Sequence, residues 1–280
     1  MHRSRWIVPL QDAAGVDERL IGGKAAKLAR LIRAGFRVPD GFSITTSAYD
    51  YFLTQRGLVD LVRMELGRKS LESMRWEEIW DAALRIRAGF TAPLIPQALT
   101  EVIAGALQDF DEGTVFAVRS SAPGEDAAQH SFAGLHESVV GVRGTDEVFD
   151  AVKTVWASLW SDAALLYHKE LALDPVKSRM AVLVQRLVEA DRSGVAFARD
   201  PRGSGEDRMI VEAVPGPCSD LVDGAVDPDR WVLMRDAGSV VSWQPGDRDQ
   251  GPEPRPILEG RDLAEIYRTV MRIESRFNWP

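Results

Sequence analysis

The chain changes character at Thr114, and that change constrains its fold more than any other feature. Before it, apolar residues recur at helical spacing across residues 58–110, most clearly at Ile95, Leu99, Val102, Ile103 and Ala106. After it, residues 115–118 form a β-rich run, residues 119–134 are polar and loop-like, and residues 135–142 resume strand character. Helical patterning returns over 146–160 and 163–171. A mainly β stretch follows at 180–188, 194–198, 209–213 and 231–234, with short turns between the runs. Near the start, strand candidates at 6–10 and 42–45 flank an amphipathic segment at 25–34, and Thr46 caps a helix running toward Gly57. Residues 244–256 are turn-rich, and 263–277 form a closing helix candidate. Segregated helical and β regions predict an α+β fold. The division is expected near residue 175, with lobe 1 at 1–175 and lobe 2 at 176–280.

Composition removes several functional classes. With 280 residues and 45% hydrophobic content the chain can bury a substantial core. Its single cysteine, Cys218, cannot close an internal disulfide, which points to a reduced, cytoplasmic setting. The first residues lack an apolar secretory core, and no stretch approaches the roughly 18 apolar residues of a membrane span. A formal charge of −8 without a dense basic run argues against nucleic-acid partners.

Three segments carry candidate chemistry. Gly22-Gly23-Lys24 precedes the amphipathic segment, where glycines let backbone amides approach an anion and lysine adds a mobile positive charge. The same residues serve equally well as a plain turn, and the spacing is not that of a P-loop. Phe116-Ala117-Val118-Arg119-Ser120-Ser121 is a strand run ending in an arginine whose planar fork suits phosphate oxygens. A salt bridge from Arg119 to Glu125 or Asp126 is the alternative. Ser131-Phe132-Ala133-Gly134 closes that loop, either to cover phosphates or to make a tight turn. Residues 180–188 pass from an apolar strand into a polar edge, which fits an adenine pocket or simply core.

Taken together and in order, these segments resemble the ATP-binding domain of the phosphoenolpyruvate synthase and pyruvate phosphate dikinase family, which includes rifampicin phosphotransferases and glucan water dikinases. The resemblance rests on IGGKAAKLARLIRAGFRVPDGFSITTSAY (21–49), FAVRSSAPGEDAAQHSFAGLHESVVGV (116–142), MAVLVQRLVEADRSGVAFARDP (180–201) and IVEA (210–213). It implies an ATP-grasp-like fold whose two lobes clamp ATP with Mg²⁺. By carry-over, Lys24 and Arg119 meet the nucleotide phosphates and Gly22 and Gly23 shape that turn. Ser131, Ala133 and Gly134 cover the phosphates, Gln185, Leu187 and Val188 line adenine, and Glu212 is a ribose or metal-side contact. The metal ligands themselves are not identified. In the family, ATP pyrophosphorylates a histidine on a separate swivelling domain. That domain, in cis or in trans, passes a phosphoryl group to pyruvate, an antibiotic or a glucan, with release of AMP and phosphate.

Departures from the family pattern accompany the matches. Ala25 stands where the family usually has glycine, and Val214-Pro215-Gly216-Pro217-Cys218-Ser219-Asp220 replaces a glycine-rich loop, two prolines removing backbone donors. The family's later metal- and phosphate-binding Glu, Gln and Arg would follow Pro280, so the chain reads as a C-terminally truncated domain that is incomplete for catalysis by itself. None of His2, His130, His136 and His168 stands in a phosphocarrier motif, and His130 and His136 read as loop and strand-surface residues. The first expectation is therefore an ATP-dependent phosphotransferase module. A non-catalytic ATP-sensing module and an ATP-grasp carboxylate–amine ligase are the other readings, and the pairing of VRSSA with SFAG disfavours the ligase.

Overall fold

In a computed structural model, the protein is described at residues 6–123, 126–127, 130–131, 135–203, 207–247 and 255–277. It divides into two compact units, Met1–Leu187 and Val188–Pro280.

Unit 1 is built on an antiparallel sheet of order β1-β2-β7-β3-β6, comprising β1 (Ile7–Pro9), β2 (Gly41–Ile44), β3 (Val115–Ser121), β6 (Ser138–Arg143) and β7 (Ala181–Arg186). Two-residue strands β4 (Asp126–Ala127) and β5 (His130–Ser131) pair as a small hairpin after β3. Helices α1 (Glu18–Arg33), α2 (Thr46–Gln55), α3 (Leu58–Gly67), α4 (Trp76–Thr91), α5 (Gln97–Leu107), α6 (Gly144–Ser158) and α7 (Asp162–Glu170) complete the unit.

Alternation along the strands gives the sheet two apolar faces. Phe42, Ile44, Phe116, Val118, Val182 and Val184 point into the large helical core. Trp156 and Trp160 are buried there, and their indole N–H groups donate to Met180 O (3.2 Å) and Tyr49 Oη (3.0 Å), so neither large ring leaves a polar atom unmet. Burial pushes the Tyr49 phenol well above its ordinary value. On the other face, Ala25, Ala26 and Ala29 let α1 lie close against Leu183 and Val8.

Unit 2 is a four-stranded antiparallel sheet of order β11-β10-β9-β8, comprising β8 (Arg192–Phe197), β9 (Arg208–Pro215), β10 (Asp229–Met234) and β11 (Val240–Gln244). A one-turn helix α8 (Ser219–Val222) follows β9, and α9 (Gly260–Phe277) packs on one sheet face. Leu263, Ile266, Tyr267, Val270 and Met271 recur at helical spacing and meet Met209, Val211, Trp231 and Leu233. Asp229 is buried and accepts from Trp243 Nε1 (3.3 Å), Gly246 N (2.9 Å) and Ile257 N (3.1 Å), tying the segments that flank the turn-rich connection to β10. Gly194 lies under Glu212 O, where a β-carbon would fall 2.1 Å from that oxygen, so β8 and β9 approach only because residue 194 has no side chain.

Two features differ from the sequence expectations. The sequence puts the apolar run at 180–188 in the second lobe, but β7 lies between β2 and β3 in the first sheet, and the compact units divide at Leu187/Val188. Apolar alternation marks a strand without saying which sheet it joins. β11 has no counterpart among the expected strands, because its five residues are mostly exposed and lack a buried alternating face.

Candidate functional site

Asp17 caps α1 by accepting from Arg19 N at 2.9 Å. One turn later the helix breaks at Gly22, whose φ of 77° and ψ of 163° lie in a region that only glycine occupies readily. The helix then resumes through Lys24 to Arg33, over the expected amphipathic segment, but it begins at Glu18, one turn ahead of the glycines where the sequence reads as loop.

The break fits the end of β3. Gly23 N donates to Ala122 O (3.3 Å), Ala25 N donates to Ser121 Oγ (3.2 Å), and Ser121 Oγ donates to Ile21 O (3.0 Å). The expected anion cradle of glycine amides is thus revised: the Gly23 and Ala25 N–H groups are spent within the chain. Gly22 instead allows the helix to touch the strand. That contact carries Lys24 Nζ to Ser120 O (3.2 Å) and Ser120 Oγ (3.3 Å).

Arg119 lies inside β3, two residues before its end, rather than after the strand as the sequence pattern implies. It stands in register with Leu183 of β7 and Ser138 of β6, on the sheet face that α1 covers only in part. Ala117 and Val140 pair beside it, and Arg119 and Val140 are both exposed. Among the described residues no ion pair engages Arg119. Glu125 and the side chain of Asp126 lie outside them, so the salt-bridge alternative falls there too.

His136 enters this site, although the sequence pattern assigns it to a strand surface. It is half-buried just before β6, and its imidazole is held down to a pKa of about 4. Burial is the main cause, followed by the positive charge of Lys24 and then His168, against a smaller opposing hydrogen bond with the Ser158 backbone. At neutral pH it is a neutral ring within the field of the Lys24 charge. Only its tertiary surroundings reveal this.

Of the loop residues expected to cover phosphates, Ser131 has its backbone in β5, paired with Asp126. Its side chain, Ala133 and Gly134 lie outside the described residues.

The adenine candidates have specific partners. Gln185 is buried, and its Nε2 donates to Pro39 O at 2.9 Å, so one N–H of its amide holds the 39–41 turn. Arg186 N donates to Asp40 O and Leu187 N donates to Val115 O, both at 2.8 Å. Leu187 N–H is therefore occupied, while Val188 is exposed. In unit 2, Glu212 of β9 stands opposite Arg230 of β10, with Oε1 3.3 Å from Arg230 Nη1.

Among the described residues, no group of three or more His, Cys, Asp or Glu is arranged to hold a metal ion, and no helix is long and apolar enough to cross a membrane.

Similarity to known proteins extends over most of the chain. The family described as "Pyruvate phosphate dikinase, AMP/ATP-binding domain" matches residues 18–250. The phosphoenolpyruvate synthase of Aeropyrum pernix is 39% identical over 222 residues, covering 77% of this chain and 27% of its own length. A probable phosphoenolpyruvate synthase of Methanothermobacter thermautotrophicus is 31% identical over 297 residues, covering 99% of this chain and 43% of its own. A rifampicin phosphotransferase of Streptomyces sviceus is 35% identical over 294 residues, covering 99% of this chain and 33% of its own. The chain spans less than half the length of each of these relatives.

Proposed function

The chain belongs to the pyruvate phosphate dikinase AMP/ATP-binding domain family and has its ATP-grasp-like α+β fold, and from that premise we propose that it serves as the ATP-binding module of a dikinase-type phosphotransferase. The observation that carries the proposal is the seating of Lys24 Nζ on Ser120, one residue from Arg119 on the open part of the sheet. Two cations at one strand end suit a ligand with several negative charges. Lys24 supplies a compact point charge and Arg119 a planar fork for phosphate oxygens.

Phosphoryl transfer depends mainly on positioning and on fixed charge, which a lysine anchored by a serine and an arginine fixed in a strand provide. Gly22 and Gly23 act by positioning Lys24. Ser131, Ala133 and Gly134 are the candidates to cover the phosphates. For adenine, the occupied N–H of Leu187 leaves its carbonyl and the Val188 N–H as the backbone groups to offer, with Gln185 holding the turn beneath them.

Magnesium keeps water and phosphate oxygens as ligands and needs only one or two carboxylates. On this reading the metal arrives on the nucleotide, and Glu212 is the candidate ribose or metal-side contact. When bound, the ion offsets phosphate charge. Glu212 is balanced by Arg230.

The whole enzyme would use a histidine on a separate carrier domain, in cis or in trans, as the first phosphoryl acceptor, release AMP and phosphate, and act in the cytoplasm. Pyruvate or another small molecule would be the final acceptor. The test is to join the chain to the following part of a relative's ATP-binding domain, supply ATP and that relative's phosphohistidine carrier domain, and separate the nucleotide products. AMP with label on the carrier histidine is expected. ADP as the product, with no label on the carrier, contradicts the dikinase reading.

A further inference from the structure

The sheet of unit 1 carries a cavity on the face opposite Arg119. It has a volume of about 240 Å³ and lies between the β1–β2 edge and the C-terminal part of α5. That is somewhat below the roughly 300–1,000 Å³ of sites for drug-sized ligands, so the space suits only a small molecule.

Its floor is apolar. Ile7, Phe42, Val102, Ala106 and Phe110 line it, with the Phe42 and Phe110 ring centres 6.2 Å apart and the planes tilted by 52°. Its lining carries charges of both signs: Arg186, Asp40 and Asp109. The backbones of residues 40 and 186 are joined by the hydrogen bond from Arg186 N to Asp40 O, so these opposite charges are held close together. Among the described residues they do not pair with one another. Asp40 accepts instead from Gln11 Nε2 at 3.1 Å, and Arg186 Nη2 reaches Asp111 at 3.4 Å.

The Arg186 guanidinium is unevenly satisfied. Its side chain is 40% exposed, yet Nε is buried and has no hydrogen-bond partner. A buried donor without an acceptor is costly, and the exposed remainder of the guanidinium, at the cavity lining, is the part that a ligand oxygen can reach.

We propose that this cavity binds a small zwitterion with an apolar body, the chemical class of an aromatic or branched-chain α-amino acid. Its carboxylate meets Arg186, its ammonium group meets Asp40 and Asp109, and its side chain lies against Phe42 and Phe110. A simple anion of the same shape would face two carboxylates, and a simple amine would face the guanidinium. Only a molecule carrying both charges satisfies the whole lining.

The test is calorimetric titration of the protein with L-phenylalanine and L-leucine, set against 3-phenylpropionate and phenethylamine, each of which lacks one charge. Phenylalanine is expected to bind at least about 10-fold more tightly than either one-charge analogue. Arg186→Gln and Asp109→Asn, both in the lining, are each expected to weaken it about 10-fold or more while melting as the wild type does. Equal affinity for all three phenyl compounds, or no saturable binding of either amino acid by folded protein, would overturn the proposal. So would full affinity in both variants.

Discussion

Gly22 sits against Ser121 so closely that a β-carbon at residue 22 would fall 1.7 Å from the Ser121 carbonyl oxygen. These two residues, far apart in sequence, fix how the first helix meets the third strand, and through that contact they set the height of Lys24 over Ser120.

Gly22→Ala is therefore expected to cost more than about 3 kcal/mol, because it adds a backbone clash to a φ of 77° that alanine resists. Gly15→Ala is the control. Its φ is 104°, but no atom lies within 4 Å of where a β-carbon would stand, so only the conformational strain, about 1 kcal/mol, remains. Urea unfolding of the two variants measures the difference.

His136 should make stability depend on pH below neutrality. Its folded pKa of about 4 lies below the ordinary 6.5, so between these values the unfolded chain holds a proton that the folded chain does not. Stability therefore falls as pH drops from about 6.5 to about 4, by about 3 kcal/mol in total from this group, and its contribution is flat below that window. His136→Gln is expected to remove this part of the slope. Wild-type and variant unfolding curves of equal pH dependence across the window would contradict it.

Asp229→Ala is expected to destabilise unit 2 by about 3 kcal/mol or more. It strips the acceptor from three donors, Trp243 Nε1 and the N–H groups of Gly246 and Ile257, around a carboxylate that is itself buried. Asp229→Asn keeps one acceptor oxygen and should lose less. A change in Trp243 fluorescence at a lower denaturant concentration than in the wild type reports the loss.

Much of this architecture is legible from residue pattern, because strands such as 115–118 and 209–213 are apolar runs bounded by turns, and the helix through Ile95, Leu99 and Ile103 has a clear buried stripe. Strand ends are less so. The pattern puts Arg119 after β3 rather than within it, since a polar residue on an open sheet face looks like a loop in sequence. The membership of β7 is hidden for the same kind of reason: Val182 and Val184 announce burial, but their cross-strand partners Ile44, Phe42 and Val118 are distant in the chain. The approach of Lys24 to the third strand is not legible from spacing. What no pattern shows are the roles set by tertiary surroundings, namely the neutral His136 within the field of Lys24, the Gln185 Nε2 donating to Pro39, and the Gly23 amide donating to Ala122.

The central claim is that Lys24 and Arg119 together receive the triphosphate of ATP, and calorimetric titration of ATP into wild-type, Lys24→Ala and Arg119→Ala proteins tests it most directly. A hydrogen bond between charged groups is worth about 1.5–3 kcal/mol, so each variant should bind ATP about 10- to 150-fold more weakly while its thermal midpoint stays near that of the wild type. Unchanged ATP affinity in both folded variants would contradict the claim.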